Sequence, residues 1–314
     1  MENIILTLYC LPKVGKKTIL YFIENMIDKP RDENDLLDRF IEIKNVNRRI
    51  KIPTLEQIKE AINKSEEIIL NSQKQNIKSI DILNEKFPKK LINIDNAPVM
   101  LFYKGNYNSL INDNSVAIVG SRKSNLKGLD AAYKLGAMFG RQNYSVISGL
   151  AIGCDEQAHK GCLDAKGNTV AVLPCGLDGI YPSSNKDLAD KILENKGCLV
   201  SEYPIGMKCF KSNFVERDRI QSGLSSAVVV CESDVNSGTM NTVDFAIRQN
   251  RILACLDIEA SGNQKIIKKD NCIVIRKKED INKLKLEMYK FNDSFAINNA
   301  KEASQQLKLQ LLKE

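Results

Sequence analysis

The chain has 314 residues, 43% of them hydrophobic and 27% charged, with a formal net charge of +7. That length accommodates one large domain plus a small one, and these fractions are ordinary for a soluble protein. The longest apolar runs are of strand length, far short of the roughly 20 residues that span a bilayer, which excludes a helical membrane protein. The charge is uneven, at +2 over residues 1–100, zero over 101–260 and +5 over 261–314. A nucleic-acid partner therefore has to be argued from individual Arg and Lys residues. Met1-Glu2-Asn3 and the apolar residues after it lack a basic n-region and a small-residue cleavage site, so no signal peptide is expected. The nine cysteines are odd in number, scattered and without a CxxC pair. They read as reduced, mostly buried thiols of a cytoplasmic protein.

Residues 1–75 have the spacing of a small helical domain, with apolar residues in Thr18–Met26, Leu36–Ile41 and Leu55–Leu70. Thr54 with Gln57 three residues on predicts a capped helix start. Leu11 to Thr18, around Gly15, fits either a helix-hairpin-helix turn gripping a phosphate or an ordinary glycine turn between packed helices. It is not a Walker A loop, because GxxxxGK[ST] requires glycine where Cys10 stands. Residues 75–114 read as a connector, in which Phe87–Leu91 and Ala97–Gly105 suggest an extended segment and a short strand.

From Val116 onward, apolar strand-length runs alternate with helical lengths. Strands are predicted at 115–119, 144–148, 168–173, 198–202, 226–231, 251–256 and 272–275. Helices are predicted near 126–142, 154–166, 185–196, 215–223, 238–249 and 263–269. This pattern predicts an α/β fold, an extended Rossmann-like parallel sheet covered on both faces over residues 76–290. Residues 291–314 read as a short polar tail with a helix over 300–312. Leu284, Leu286 and Met288 suit either core or an interface.

The chemistry lies in short turns that follow three strands. Gly120-Ser121-Arg122 follows Val116–Val119, Ser148-Gly149 follows Ser145–Ile147, and Ser237-Gly238-Thr239 follows Ala227–Val230. In a parallel sheet these turns open onto one crevice, where helix N-termini and bare amides make a phosphate site. The G-x-G-x-x-G fingerprint is absent: Arg122 and Asn125 take its second and third glycine positions. Arg122 offers instead a charged fork for a phosphate or a base. Asp155 is expected to cap the helix after Gly153. His159, the chain's one histidine, lies one turn beyond, within i,i+4 reach, and a structural role suits it better than a catalytic one. Lys208 to Arg219 interleaves Lys211, Arg217 and Arg219 with Phe210 and Phe214, a combination that suits a single strand.

In this order the motifs resemble the DprA/Smf family, DNA-processing protein A. The likeness runs from about Phe87 to Leu284. It covers Phe87-Pro-x-x-Leu91, Val116–Arg122, Ser148-Gly-Leu-Ala-x-Gly-x-Asp155-x-x-Ala-His159, Leu173-Pro-x-Gly-Leu-Asp178-x-Ile-Tyr-Pro182, Ser201-Glu-Tyr-Pro204, Asn213-Phe-x-x-Arg-x-Arg-Ile220 and Ser237-Gly-Thr. The N-terminal helices resemble that family's SAM-like domain more loosely. The resemblance implies a cytoplasmic homodimer, without cofactor, metal or enzymatic activity, that binds and protects single-stranded DNA in natural transformation and loads the recombinase RecA onto it. It places the phosphate pocket on Gly120, Ser121, Arg122, Ser148, Gly149, Ser237, Gly238 and Thr239, with basic positions at Lys211, Arg217 and Arg219.

The chain departs from the family in four places. Asp218 stands for a usual Asn, Val215 for Pro and Cys154 for an aliphatic residue, and Cys255-Leu-Asp-Ile replaces a Val-Pro-Gly turn. With so few residues after Lys290, the winged helix that many relatives carry is not expected here. The competing class is a nucleotide-processing enzyme like the lysine-decarboxylase-like phosphoribohydrolases. Its PGGxGTxxE motif needs Glu where this chain has Thr242. A nicotinamide dehydrogenase fits worse, for want of the fingerprint.

Overall fold

A computed structural model of the chain describes residues 3–311, with side chains as far as residue 298. Four helices open it: α1 (Ile4–Cys10), α2 (Lys16–Glu24), α3 (Glu33–Val46) and α4 (Leu55–Lys74). Gly15 is the N-cap of α2, so the Leu11–Gly15 turn joins two packed helices. Thr54 and Gln57 form the expected capping box. The Thr54 hydroxyl accepts from the Gln57 amide at 3.2 Å, and the Gln57 side chain accepts from the Thr54 amide at 3.0 Å. Ile58, Ala61, Ser65, Ile68 and Ser72 recur every three or four residues and form the buried face of α4.

The sheet follows. β1 (Lys78–Asp81), α5 (Lys89–Ile92), β2 (Met100–Gly105) and α6 (Tyr107–Leu110) precede the alternating part. That part runs β3 (Ser115–Val119), α7 (Leu126–Arg141), β4 (Ser145–Ser148), α8 (Cys154–Asp164), β5 (Thr169–Leu173), α9 (Lys186–Glu194), β6 (Cys198–Ser201), α10 (Lys211–Gly223), β7 (Ala227–Val230), α11 (Thr239–Arg248), β8 (Ile252–Leu256), α12 (Ser261–Ile266) and β9 (Cys272–Ile275). A last helix, α13 (Lys278–Leu311), closes the described chain. The nine strands form one sheet in the order β1-β2-β6-β5-β4-β3-β7-β8-β9. From β6 to β9 every pairing is parallel, whereas β1 and β2 add an antiparallel edge.

Pleat alternation decides what each face buries. Val116 and Ile118 of β3 pack with α7, α8 and α13, and Ala117 and Val119 pack with α11 and α12. The N-terminal helices share one core with the sheet. Leu6, Phe22, Leu36 and Phe40 lie in the same cluster as Val99, Phe102, Leu173 and Leu199. Among the described residues, no helix is long and apolar enough to cross a membrane.

Two expectations change and one open alternative is narrowed. Residues 291–311 are the continuation of α13, because Ile281, Leu284 and Met288 seat the start of that helix on the sheet. The end of the expected tail helix, at position 312, lies outside the described residues. Leu284 and Met288 are core, while Leu286 is exposed. Helix α10 starts at Lys211, four residues before the predicted start, which makes the run from Lys211 to Arg219 helical.

Thr54→Ala removes the acceptor for one α4 amide and is expected to destabilise the fold by about 1 kcal/mol. Urea midpoints would show this, with Thr54→Ser close to the wild type; equal midpoints for all three proteins would contradict it.

Candidate functional site

The strand order reverses at β3, whose neighbours β4 and β7 lead to opposite ends of the sheet. A crevice opens at the carboxyl ends of these strands, the position where doubly wound folds bind ligands. It holds a cavity of about 440 Å³ lined by Gly120–Lys123, Ala151, Asp155, Phe214, Arg217, Asp218, Gln221, Asp234, Ser237–Thr239, Asn241 and Thr242. A side slot of about 70 Å³ shares Arg122, Ala151, Phe214 and Arg217 and adds Gly149, Ile152, Tyr181 and Pro182.

Arg122 is exposed on the wall, with its guanidinium 5.4 Å from the centre of the Phe214 ring. Tyr181 meets Phe214 edge-on at 5.1 Å, across the cis Tyr181–Pro182 corner. The wall is thus a cation over an aromatic ring, with a second ring beside it, a surface for phosphate and base together. The same cavity is lined by the N-terminus of α11, with Ser237, Gly238 and Thr239. Ser237 pairs through its hydroxyl with Ser233 at 2.7 Å. Among the described residues nothing accepts from the Gly238 and Thr239 amides, and these point the helix's positive end at the crevice.

The other expected site residues divide. Ser121 donates its amide to the Glu232 carbonyl at 2.7 Å and accepts from the Lys123 amide. Gly120 is packed so closely that a Cβ would lie 2.5 Å from the Cys154 sulfur. Ser148 is fully buried and spends its hydroxyl on the Ile118 carbonyl, so it offers no donor to a ligand. The Gly149 amide is likewise taken, by Asp155 at 3.1 Å. Asp155 therefore holds the β4 turn instead of capping α8, whose N-cap is Gly153.

The early start of α10 turns the two expected basic contacts inward. Arg217 is 5% exposed. Its Nη1 donates to the carbonyls of Gly149 at 2.6 Å and Val172 at 2.7 Å, and its Nε pairs with Asp218 at 3.0 Å. Arg219 is 1% exposed and lies between Glu202 and Glu216, away from the crevice. Lys16 joins these carboxylates at 3.1 and 3.2 Å, so the lysine beside Gly15 is engaged in bracing α2 against α10. Of the three expected cations, Lys211 alone is exposed, at the first position of α10, one turn before Phe214.

Beneath the cavity, Asp155 and Asp218 crowd one guanidinium. Burial pushes both carboxyls up, Asp218 to about 6, with Arg217 opposing the rise and Asp155 adding to it. His159 does not pair with Asp155. Its Nδ1 meets the Thr169 hydroxyl at 2.7 Å, and burial, then Arg217, pushes its pKa down to about 3. Among the described residues no three His, Cys, Asp or Glu side chains gather to hold a metal. Tyr181, Gln221 and Asn241 line the cavities without having been expected as site residues. Tyr181 had a signal in its Tyr-Pro turn, whereas Gln221 and Asn241 depend on helix orientation.

Asp218 gives a pH-dependent prediction. An acid with a raised folded pKa costs no stability below its ordinary value, here 3.8, and its full cost above the raised one, here about 6. Asp218→Asn should therefore stabilise the fold by on the order of 2 kcal/mol at pH 7.5. The gain should fade as the pH falls from 6 toward 4. Denaturant titrations across that range would test it, and a gain independent of pH would rule it out.

The chain matches the family model of DNA recombination-mediator protein A over residues 78–285. It is 40% identical over 183 residues to DNA processing protein DprA of Streptococcus pneumoniae, covering 58% of this chain and 64% of that protein. With DprA of Bacillus subtilis it shares 33% over 207 residues, covering 63% and 69%. With protein Smf of Synechocystis it shares 38% over 168 residues, covering 52% and 42%. The match thus spans less than two thirds of the Streptococcus and Synechocystis relatives. The X-ray structure of DNA processing protein A from Streptococcus pneumoniae superposes with a TM-score of 0.72 at 29% identity, over 88% of this chain and 94% of that one. DNA processing protein A from Helicobacter pylori, whose structure concerns its single-stranded DNA binding mode, shares the fold with a TM-score of 0.58 at 23% identity, over 71% and 96%. The chain belongs to the DNA recombination-mediator protein A family, also called DprA or Smf.

Proposed function

We propose that the crevice holds the backbone of single-stranded DNA, and that the protein protects incoming strands and passes them to RecA recombinase during natural transformation. In this reading the unit of residues 76–290 carries the strand and the helices of residues 1–75 brace it. The protein acts in the cytoplasm as a homodimer, by binding and not by catalysis. One observation supports the reading above the others: Arg122 lies over Phe214 in the wall of a cavity that the N-terminus of α11 also lines. Phosphates would sit between Arg122 and the Gly238–Thr239 amides, with Lys123 and Lys211 as outlying cations. Bases would lie along Phe214 and Tyr181. A Helicobacter pylori relative is known for single-strand binding, and the family's name concerns recombination. The phosphoribohydrolase alternative needs a carboxylate at position 242, where the cavity wall has Thr242.

Arg122→Ala combined with Lys211→Ala should lower affinity for single strands at least about tenfold. It should also flatten the dependence of log K on log salt by about one to two phosphate contacts, similarly for unrelated sequences. Gel shifts on single-stranded and duplex DNA across a salt series, with RecA added afterwards to follow its nucleation, would read this. Wild-type affinity in the double variant would overturn the site, and equal preference for duplex would overturn the strand specificity.

A further inference from the structure

The first βα turn of a doubly wound sheet, with the helix N-terminus after it, is where a nucleotide pyrophosphate ordinarily sits. Here the turn after β3 leads into α7, a helix of sixteen residues. A side chain of the protein already holds that place. The Glu232 carboxylate, reaching across from the end of β7, accepts from the Ser124 hydroxyl at 2.7 Å and from the Asn125 amide at 3.0 Å, both on Oε2. Its main-chain carbonyl accepts from the Ser121 amide at 2.7 Å. Three bonds from one residue thus fix both ends of the turn that carries Arg122.

The surroundings are cut to fit this carboxylate. A Cβ on Gly128, in the first turn of α7, would lie 2.4 Å from Glu232 Oε2 and 2.3 Å from the Ser124 hydroxyl. The Gly128 amide meanwhile donates to the Asn125 side chain at 3.0 Å. Glycine is therefore the residue that leaves room for an anion at the α7 N-terminus, and the anion is internal.

We propose that Glu232 is a positioning and specificity residue of the crevice. Its carboxylate takes the phosphate place of the first turn, which turns away free mono- and dinucleotides. The same bonds brace residues 120–125, so that Arg122 is held over Phe214. The crevice is left selective for a phosphate chain entering between Arg122 and the α11 N-terminus. This rests on the single-strand reading for its second half and stands apart from it for the first.

The test uses the full chain with E232A, E232Q, R122A and the E232A/R122A pair. Anisotropy of a labelled single-stranded oligonucleotide is read across a salt series, and pyrophosphate binding is read by calorimetry. E232A should bind the strand about tenfold more weakly, with a salt slope lower by about one contact. E232Q keeps an oxygen acceptor at the same place and should stay within about threefold of wild type. In the R122A background, E232A should cost nothing further, since the two act as one unit. Pyrophosphate should bind E232A and neither wild type nor E232Q. An unchanged strand affinity and slope in E232A, no rescue by E232Q, or additivity with R122A would each overturn the positioning role. Pyrophosphate binding by the wild type, or none by E232A, would overturn the exclusion. Should E232A fail to fold, S124A removes one of the two donors and should lower the slope in the same direction; an unaltered slope then overturns the positioning role. If the wild type binds no single strand at all, the proposed function fails, and the pyrophosphate arm still decides what Glu232 excludes.

Discussion

The crevice depends on a buried guanidinium. Arg217 reaches from α10 under the sheet's carboxyl end and ties the Gly149 turn to the end of β5 through the Gly149 and Val172 carbonyls. Taking that charge out of water is costly unless every donor finds a partner and a carboxylate lies near. Two carbonyls accept from its Nη1 and Asp218 accepts from its Nε, and the Asp155 carboxyl of α8 lies near enough to feel the same guanidinium. Gly149 follows from the same constraint. A Cβ there would lie 1.8 Å from Arg217 Nη1, so the β4 turn has glycine because an arginine fills the space.

The floor then governs the electrostatics above it. Asp155 and Asp218 share one guanidinium, so the floor has no free positive charge to offer the phosphate of the proposed reading. The binding charge must come from the wall and rim, where Arg122 and Lys123 are exposed, and from the dipole of α11. His159, buried among these groups, stays neutral because burial, and then Arg217, oppose its protonation. A second buried arginine has a mechanical part. Arg219, with Glu202, Glu216 and Lys16, links α10 to the start of β6's exit loop and to α2. The N-terminal helices thereby support the helix that presents Phe214.

Much of this was legible in the sequence. β-branched runs such as Val116–Val119 and Ala227–Val230 fit one environment, a strand buried on both faces, and the seven parallel strands fell within a residue or two of their predicted places. Turns that follow such strands must share one edge, so Gly120–Arg122 and Ser237–Thr239 could be grouped from spacing alone. Side-chain direction was the illegible part. Lys211, Arg217 and Arg219 look alike in a row of letters, yet a helix starting at Lys211 sends them to three environments. Ser148 and Asp155 were misplaced for a related reason. A hydroxyl or carboxylate at a strand end is equally suited to a ligand and to the chain's own backbone, and burial sends both to the backbone. The extent of α13 was hidden because its later residues lack the apolar stripe that marks its start.

Position 218 shows how one side chain in the floor can matter to the wall. With asparagine there, Arg217 would face Asp155 alone. Aspartate adds a negative charge to the floor whenever it is ionised, and burial has moved that ionisation close to the physiological range. A phosphate arriving between Arg122 and α11 meets this charge across low-dielectric protein, where it is felt more strongly than in water. The field therefore favours a ligand whose negative charge stays at the rim. A polymer backbone that crosses the crevice mouth, with its bases toward Phe214 and Tyr181, has that distribution; a compact nucleotide phosphate driven to the floor does not.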